Sequence, residues 1–203
     1  MKKKLKLPII LIGGGGHASV LADIILGQGR KILAIISPEE LNERLVFSGI
    51  THLKNDRDVL LYSPDSVLLV NGIGMMPKCK LRQKITRFFS GLGYNFETVV
   101  ASTATVSPYA IISNGAQIFP GAIVNAGASI GEHTIVNTGV IIEHDAVVEK
   151  FCHVAPKALM CGQVYCSSGS FIGAGATIIH NVHLGKNAVV GAGETIRRSE
   201  FKN

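Results

Sequence analysis

The chain has 203 residues, 47% of them hydrophobic, with 23 glycines, few aromatics and a net charge of +6. This is enough for two modest domains, and no apolar run reaches the roughly 20 residues that a membrane span needs. The excess charge sits largely at the ends, in Lys2–Lys4 and in Arg197, Arg198 and Lys202. With no basic stripe interleaved with aromatics, it reads as solubility or as attraction for a small polyanion rather than for nucleic acid.

Pro8–Ile12 is a short apolar run that ends in Gly13-Gly14-Gly15-Gly16-His17-Ala18. The apolar residues behind Lys2–Lys4 run straight into this glycine loop with no small-residue cleavage site, so they read as a buried strand and not as a signal peptide. Ser19 to Leu26 has helical spacing and stops at Gly27. A second strand over Lys31–Ile36 ends at Ser37-Pro38. His52 reads as a surface loop residue. Another strand covers Ser66–Val70, and Pro77 to Phe89 reads as a helix. Strands alternating with helices imply a small parallel α/β, Rossmann-like domain over residues 1–98. Gly13, Gly15 and Ala18 satisfy G-x-G-x-x-G/A after a strand and before a helix, a loop whose backbone N–H groups can approach phosphate. The acid that should close the second strand and bind a ribose in a dinucleotide site is missing, since Glu39 and Glu40 lie just beyond Ser37-Pro38. A nucleotide-linked sugar therefore fits better than NAD; a purely structural tight turn is the bland alternative.

From Val100 the pattern changes to a strict period of six. Val106, Ile112, Ile118, Val124 and every sixth residue to Ile196 are apolar, and four places after each comes a mostly small residue, from Ala110 to Ala188; only Glu194 and Glu200 break that series. A six-residue period is incompatible with a helix. It predicts a parallel β-helix over residues 99–203, with one short strand and one turn per hexad and three hexads per triangular coil. Cys152 and Cys166 fall on inward positions, where free thiols act as small hydrophobes. No cysteine spacing suggests a metal or a disulfide, which fits a reducing compartment such as the cytoplasm.

One stretch of the repeat concentrates polar groups: Asn137-Thr138-Gly139-Val140-Ile141-Ile142-Glu143-His144-Asp145, with His153 and Gly162 following at intervals of nine. His144 falls at a turn and should point outward. Asp145 could hold one ring nitrogen and leave the other as a base. His133, His180 and His183 read as outer-face or turn residues.

These segments resemble the NeuD/PglD-type sugar acetyltransferases of the hexapeptide-repeat, left-handed β-helix acyltransferase superfamily. The resemblance rests on Gly13–Ala18, Asn137–Gly162 and Phe171–Glu194. It implies acetyl-CoA as co-substrate, no metal, and a homotrimer with the cofactor in the groove between neighbours. It implies His144 as general base, polarised by Asp145, and His153 at the acetyl-CoA end. It further implies the Gly162 N–H on the thioester carbonyl, Ala174 and Ala192 along the pantetheine channel, and Gly13, Gly14, Gly15, Gly16, His17 and Ser37 at the nucleotide sugar. Departures from the family pattern are Ser37-Pro38 in place of aspartates, Val148-Glu149 for Ile-Gly, Pro156-Lys157 for Pro-Gly, and Met75-Met76 for a polar pair. Three functions stay open: N-acetylation of a nucleotide-linked amino sugar in surface-glycan biosynthesis, O-acetylation of a sialic-acid-like or polysaccharide acceptor, and a non-catalytic scaffold.

Overall fold

A computed structural model describes residues 7–41 and 44–199. Lys2–Lys4, Lys202 and Glu200, named above for charge and for the end of the repeat, lie outside them. The described residues form two compact units. One runs to Gly74 and takes in Lys80–Glu97; the other comprises Met75–Cys79 and the chain from Thr98 on. No described helix is long and apolar enough to cross a membrane.

The first unit is an α/β fold. Strands β1 (Ile9–Ile12), β2 (Ile32–Ile36), β3 (Thr51–Leu53) and β4 (Leu68–Asn71) form a parallel sheet in the order β3-β2-β1-β4. Ile9 to Ile12 are all buried, as a central parallel strand covered on both faces requires. Helix α1 (Gly16–Gly27) begins inside the glycine loop, three residues before the apolar spacing starts, with Gly15 as its N-cap. Helix α2 (Leu81–Gly91) begins four residues later than Pro77, because Pro77 and Lys78 form a turn in which Lys78 takes a positive φ of 61°. The edge strand β3 is three residues long and carries no apolar run. His52 sits on it, half-buried, with its Nε2 2.9 Å from the Ser37 carbonyl oxygen. This corrects the surface-loop reading: pairing beside β2 places the ring against the end of that strand.

The second unit is the parallel β-helix expected from the hexads, with the left hand that the family resemblance implies. Its two-residue strands run from Val99–Val100 to Thr195–Ile196 and stack into three parallel sheets of five, six and six strands. In each strand the second residue points inward, and Ile118, Ile130, Val136, Ile142, Val148 and Val154 are fully buried. Where the small inward position is polar, the turn backbone satisfies it. Thr134 Oγ1 donates to the Glu149 oxygen at 2.6 Å and accepts from the Cys152 N–H at 3.0 Å; Ser170 Oγ donates to the oxygens of Ser167 and Gly185. Cys152 and Cys166 are buried free thiols, and the Cys166 thiol is pushed up by its Cys152 neighbour and by burial. Glu194, which breaks the pattern, is exposed on the last described coil and accepts from the Gly191 N–H at 2.8 Å.

The corners obey a rule the hexads do not spell out. Every sixth residue from Gly115 to Gly193 has a positive φ. Half of these are glycines. The rest include Asp145 (φ 59°), Phe151 (53°) and Lys157 (59°), residues for which the left-handed region costs energy.

Candidate functional site

Two places gather the predicted residues, one in each unit. In the second unit, His144 and Asp145 occupy one corner of the β-helix. The corner is pinned by backbone bonds to the coils on either side: Asp145 N–H to the Ala126 oxygen at 3.2 Å, and Gln163 N–H to the His144 oxygen at 3.0 Å. His144 Nδ1 lies 2.9 Å from Asp145 Oδ2, and both side chains are more than half exposed. A carboxylate can only accept, so Nδ1 carries the proton and Nε2 keeps its lone pair as a proton acceptor. Gly162, on the next coil, lies against that nitrogen. A Cβ there would stand 2.5 Å from His144 Nε2 and 2.6 Å from Cε1, so this position has room for the imidazole only because it is glycine. Among the described residues the Gly162 N–H has no acceptor. Gly127, on the coil before, does the same for Asp145, since a Cβ there would collide with the carboxylate.

Glu143, to which the sequence reading gave no role, completes this corner. Its Oε2 accepts from Asn125 Nδ2 at 2.9 Å and from the His144 N–H at 3.4 Å. A fixed carboxylate beside a proton acceptor suits a cationic or amine ligand better than an anionic one.

His153 is elsewhere. It stands on the outer side of the sheet that pairs Ile135, His153 and Phe171, 8% exposed, with its ring edge-on to Phe171 at 5.1 Å. Nδ1 donates to the Met75 oxygen at 3.0 Å, so Nε2 accepts from Asn137 Nδ2 at 3.1 Å. Ala174 and Ala192 are exposed on a different corner from His144, stacked by a bond from the Gly193 N–H to the Ala174 oxygen at 2.9 Å. Within one chain, then, His144, Asp145 and Gly162 are together, whereas Ala174 and Ala192 are not with them. Glu149, which departs from the family pattern, accepts from the Tyr165 hydroxyl and from the Ser168 N–H and hydroxyl. The Ser168 and Tyr165 hydroxyls hold its carboxyl below the usual carboxylate range.

In the first unit, Gly13 to His17 and Ser37 line one cavity of about 550 Å³, together with Glu39, Glu40, Asp56 and the Gly72–Gly74 loop. Close packing dictates the small residues: a Cβ on Gly72 would meet Ala18 Cβ and the Ile12 oxygen at 2.7 Å, and one on Gly14 would strike Leu41. The loop after β4 is held from below by Arg82, which is buried and donates to the Asn71 oxygen at 2.9 Å and the Ile73 oxygen at 2.7 Å. Burial lowers its pKa to about 9. The first turn of α1 carries no acidic side chain, so its N–H groups and helix dipole face the cavity uncancelled. Arg82 and Asp56 carry no sequence motif; only the fold reveals them.

Residues 8–89 match the PglD N-terminal domain family. Three solved structures are similar along nearly the whole chain. One is a histidine-to-asparagine variant of perosamine N-acetyltransferase from Caulobacter crescentus, in complex with CoA and GDP-perosamine. It is 29% identical, the match covers 95% of this chain and 89% of that one, and the TM-score is 0.85. Another is the acetyltransferase domain of PglB from Neisseria gonorrhoeae with acetyl coenzyme A, at 26% identity, 95% and 91% coverage and a TM-score of 0.86. WeeI from Acinetobacter baumannii, at 17% identity, 94% and 96% coverage and a TM-score of 0.60, shares the fold. Over both units, therefore, the chain has the build of the NeuD/PglD-type sugar acetyltransferases, with residues 8–89 matching the PglD N-terminal domain family.

Proposed function

We propose that this protein is an acetyl-CoA-dependent N-acetyltransferase acting on a nucleotide-linked amino sugar, in the cytoplasmic assembly of surface glycans. The observation that carries the reading is the corner at His144: a nitrogen lone pair oriented by Asp145, beside a backbone N–H with no acceptor among the described residues. Those are the two groups that acyl transfer to an amine requires. The amine attacks the thioester carbon, and His144 Nε2 takes the proton that the new bond makes acidic. The developing oxyanion is met by the Gly162 N–H. As the tetrahedral species collapses, the C–S bond breaks and CoA leaves as its thiol, with the proton returned from His144. The chain's residues thus supply a base and an oxyanion donor, and binding both substrates supplies orientation.

Glu143 favours an amine over a hydroxyl acceptor, since a neutral amine has a second N–H to give to this carboxylate while His144 takes the other proton, whereas a hydroxyl has only one proton to give. The glycine-loop cavity suits a diphosphate-linked substrate. The relatives crystallised with CoA, acetyl-CoA and GDP-perosamine point the same way. Acetyl-CoA would meet His144 and Gly162 at its acetyl end and Ala174 and Ala192 along its pantetheine arm; His153, which stands elsewhere with both ring nitrogens engaged, is not placed with them. Because Ala174 and Ala192 lie on another corner from His144, a cofactor touching both sets would lie between two copies of the chain, an oligomer that we take to be a homotrimer.

The test is acetyl-CoA turnover against a panel of nucleotide amino sugars, with His144→Ala alongside. We expect turnover on an amino sugar and a loss of about 10²–10⁴-fold in the variant, with its melting temperature preserved. Turnover on hydroxyl acceptors alone would replace this reading with O-acetylation. A folded variant with full activity would remove His144 from the mechanism.

A further inference from the structure

We propose that Asp56 selects the base of the nucleotide and that it selects guanine; the proposal rests on the nucleotide-sugar reading above. All four strands of the first unit are parallel, in the order β3-β2-β1-β4, so their carboxyl ends share one edge. Segments from the carboxyl end of every strand line the cavity: the glycine loop after β1, Ser37 to Glu40 after β2, Asp56 after β3, and Gly72 to Gly74 after β4. Ligands of open parallel sheets bind along this edge. A diphosphate goes to the α1 N-terminus, where the helix dipole and the N–H groups are, and is repelled by the carboxylates beyond β2 and β3. The nucleoside must therefore run the other way, over β2 towards β3. Two strand spacings, about 10 Å, separate the phosphate loop from the end of β3, which suits the span from phosphate to base edge.

Of the three carboxylates there, Glu39 and Glu40 are both exposed, and Glu40 is paired with Lys54. Asp56 is half-buried and, among the described residues, accepts no hydrogen bond. Burial pushes its carboxyl upward, so two N–H donors would be welcome there. Guanine alone of the common bases presents two adjacent donors, N1–H and the 2-amino group, to a carboxylate. Uracil flanks its single N–H with two carbonyls. Adenine and cytosine place a ring lone pair beside the amine, which the second carboxylate oxygen repels. A site built for such donors rejects bases that lack them.

The experiment is titration calorimetry of the full chain with GDP, IDP, UDP, CDP and ADP. We expect GDP to bind tightest and IDP, which lacks the 2-amino group, to bind more weakly than GDP. We expect Asp56→Asn to weaken GDP by about ten- to a hundredfold while leaving UDP within about threefold. UDP, CDP or ADP binding more tightly than GDP to the unaltered chain would overturn the proposal and leave the nucleotide-sugar reading standing. So would GDP and IDP binding equally, a comparison that needs no variant. Equal weakening of GDP and UDP by Asp56→Asn would assign the residue to the ribose and overturn it as well. If none of the five binds, the nucleotide reading falls and this proposal with it.

Discussion

Replacing Gly162 by alanine tests the chemistry of the His144 corner with a single methyl group. The added Cβ would lie 2.5 Å from His144 Nε2 and 2.6 Å from Cε1. Unbonded carbon and nitrogen atoms settle at about 3.5 Å, so the ring must retreat by about 1 Å, taking Asp145 with it or breaking the bond between them. A displacement of that size costs about 10²-fold in rate. The backbone itself has no objection, because Gly162 is not among the residues with positive φ. Since the imidazole is 61% exposed, it can swing outward, and the fold should survive. The lost chain freedom of glycine returns about 0.4–1 kcal/mol, offsetting part of the crowding. We therefore expect thiol release from acetyl-CoA to fall about a hundredfold with a melting temperature close to that of the parent. The decisive comparison is the pair of variants together. Once His144 is alanine there is no ring to displace, and Gly162→Ala should add little further loss, as for two changes that act through one group. Additive losses would refute this account, because Gly162 would then act independently of the imidazole. Unchanged turnover in a folded Gly162→Ala variant would refute the base at His144 itself.

Two further outcomes concern the β-helix corners. Glu149→Gln should lower the melting temperature at neutral pH. The Ser168 and Tyr165 hydroxyls depress the folded-state pKa of Glu149, so its stabilisation is present above the unfolded carboxylate value, about 4.3. It disappears as pH falls through the lower folded value; a gap between parent and variant that persists at pH 2 would contradict this. Lys157→Gly should stabilise by up to about 1.5 kcal/mol, because Lys157 holds φ at 59° and the left-handed region costs an L-residue about 1–2 kcal/mol, against about 0.5–1 for the flexibility of glycine. Thermal melts showing destabilisation of more than about 1 kcal/mol would mean that the Lys157 side chain makes contacts that outweigh the backbone strain.

The β-helix was legible because stacking writes its period into the chain. Each coil puts Ile118, Val136, Val154 and Ile172 in the same environment one above another, so the sequence repeats where the environment does. The first unit was less legible where no repetition helps. Strand β3 is three residues held by an edge pairing, and Pro77–Cys79 reads as the start of a helix although it lies before α2 and belongs with the other unit.

The same contrast separates the site residues, and it turns on how far away each partner lies. Asp145 sits at a left-handed corner, a conformation that aspartate tolerates better than most residues. Its carboxylate reaches the imidazole of the residue just before it, so base and orienting acid are neighbours in sequence and need no distant contact. His153 depends on the carbonyl of Met75, 78 positions away, and nothing local announces that bond. Gly162 falls between these cases. It comes one full coil after His144, so the period that predicts the fold also predicts which residue lies against the base, and a glycine at that position is the one choice that leaves the imidazole its place.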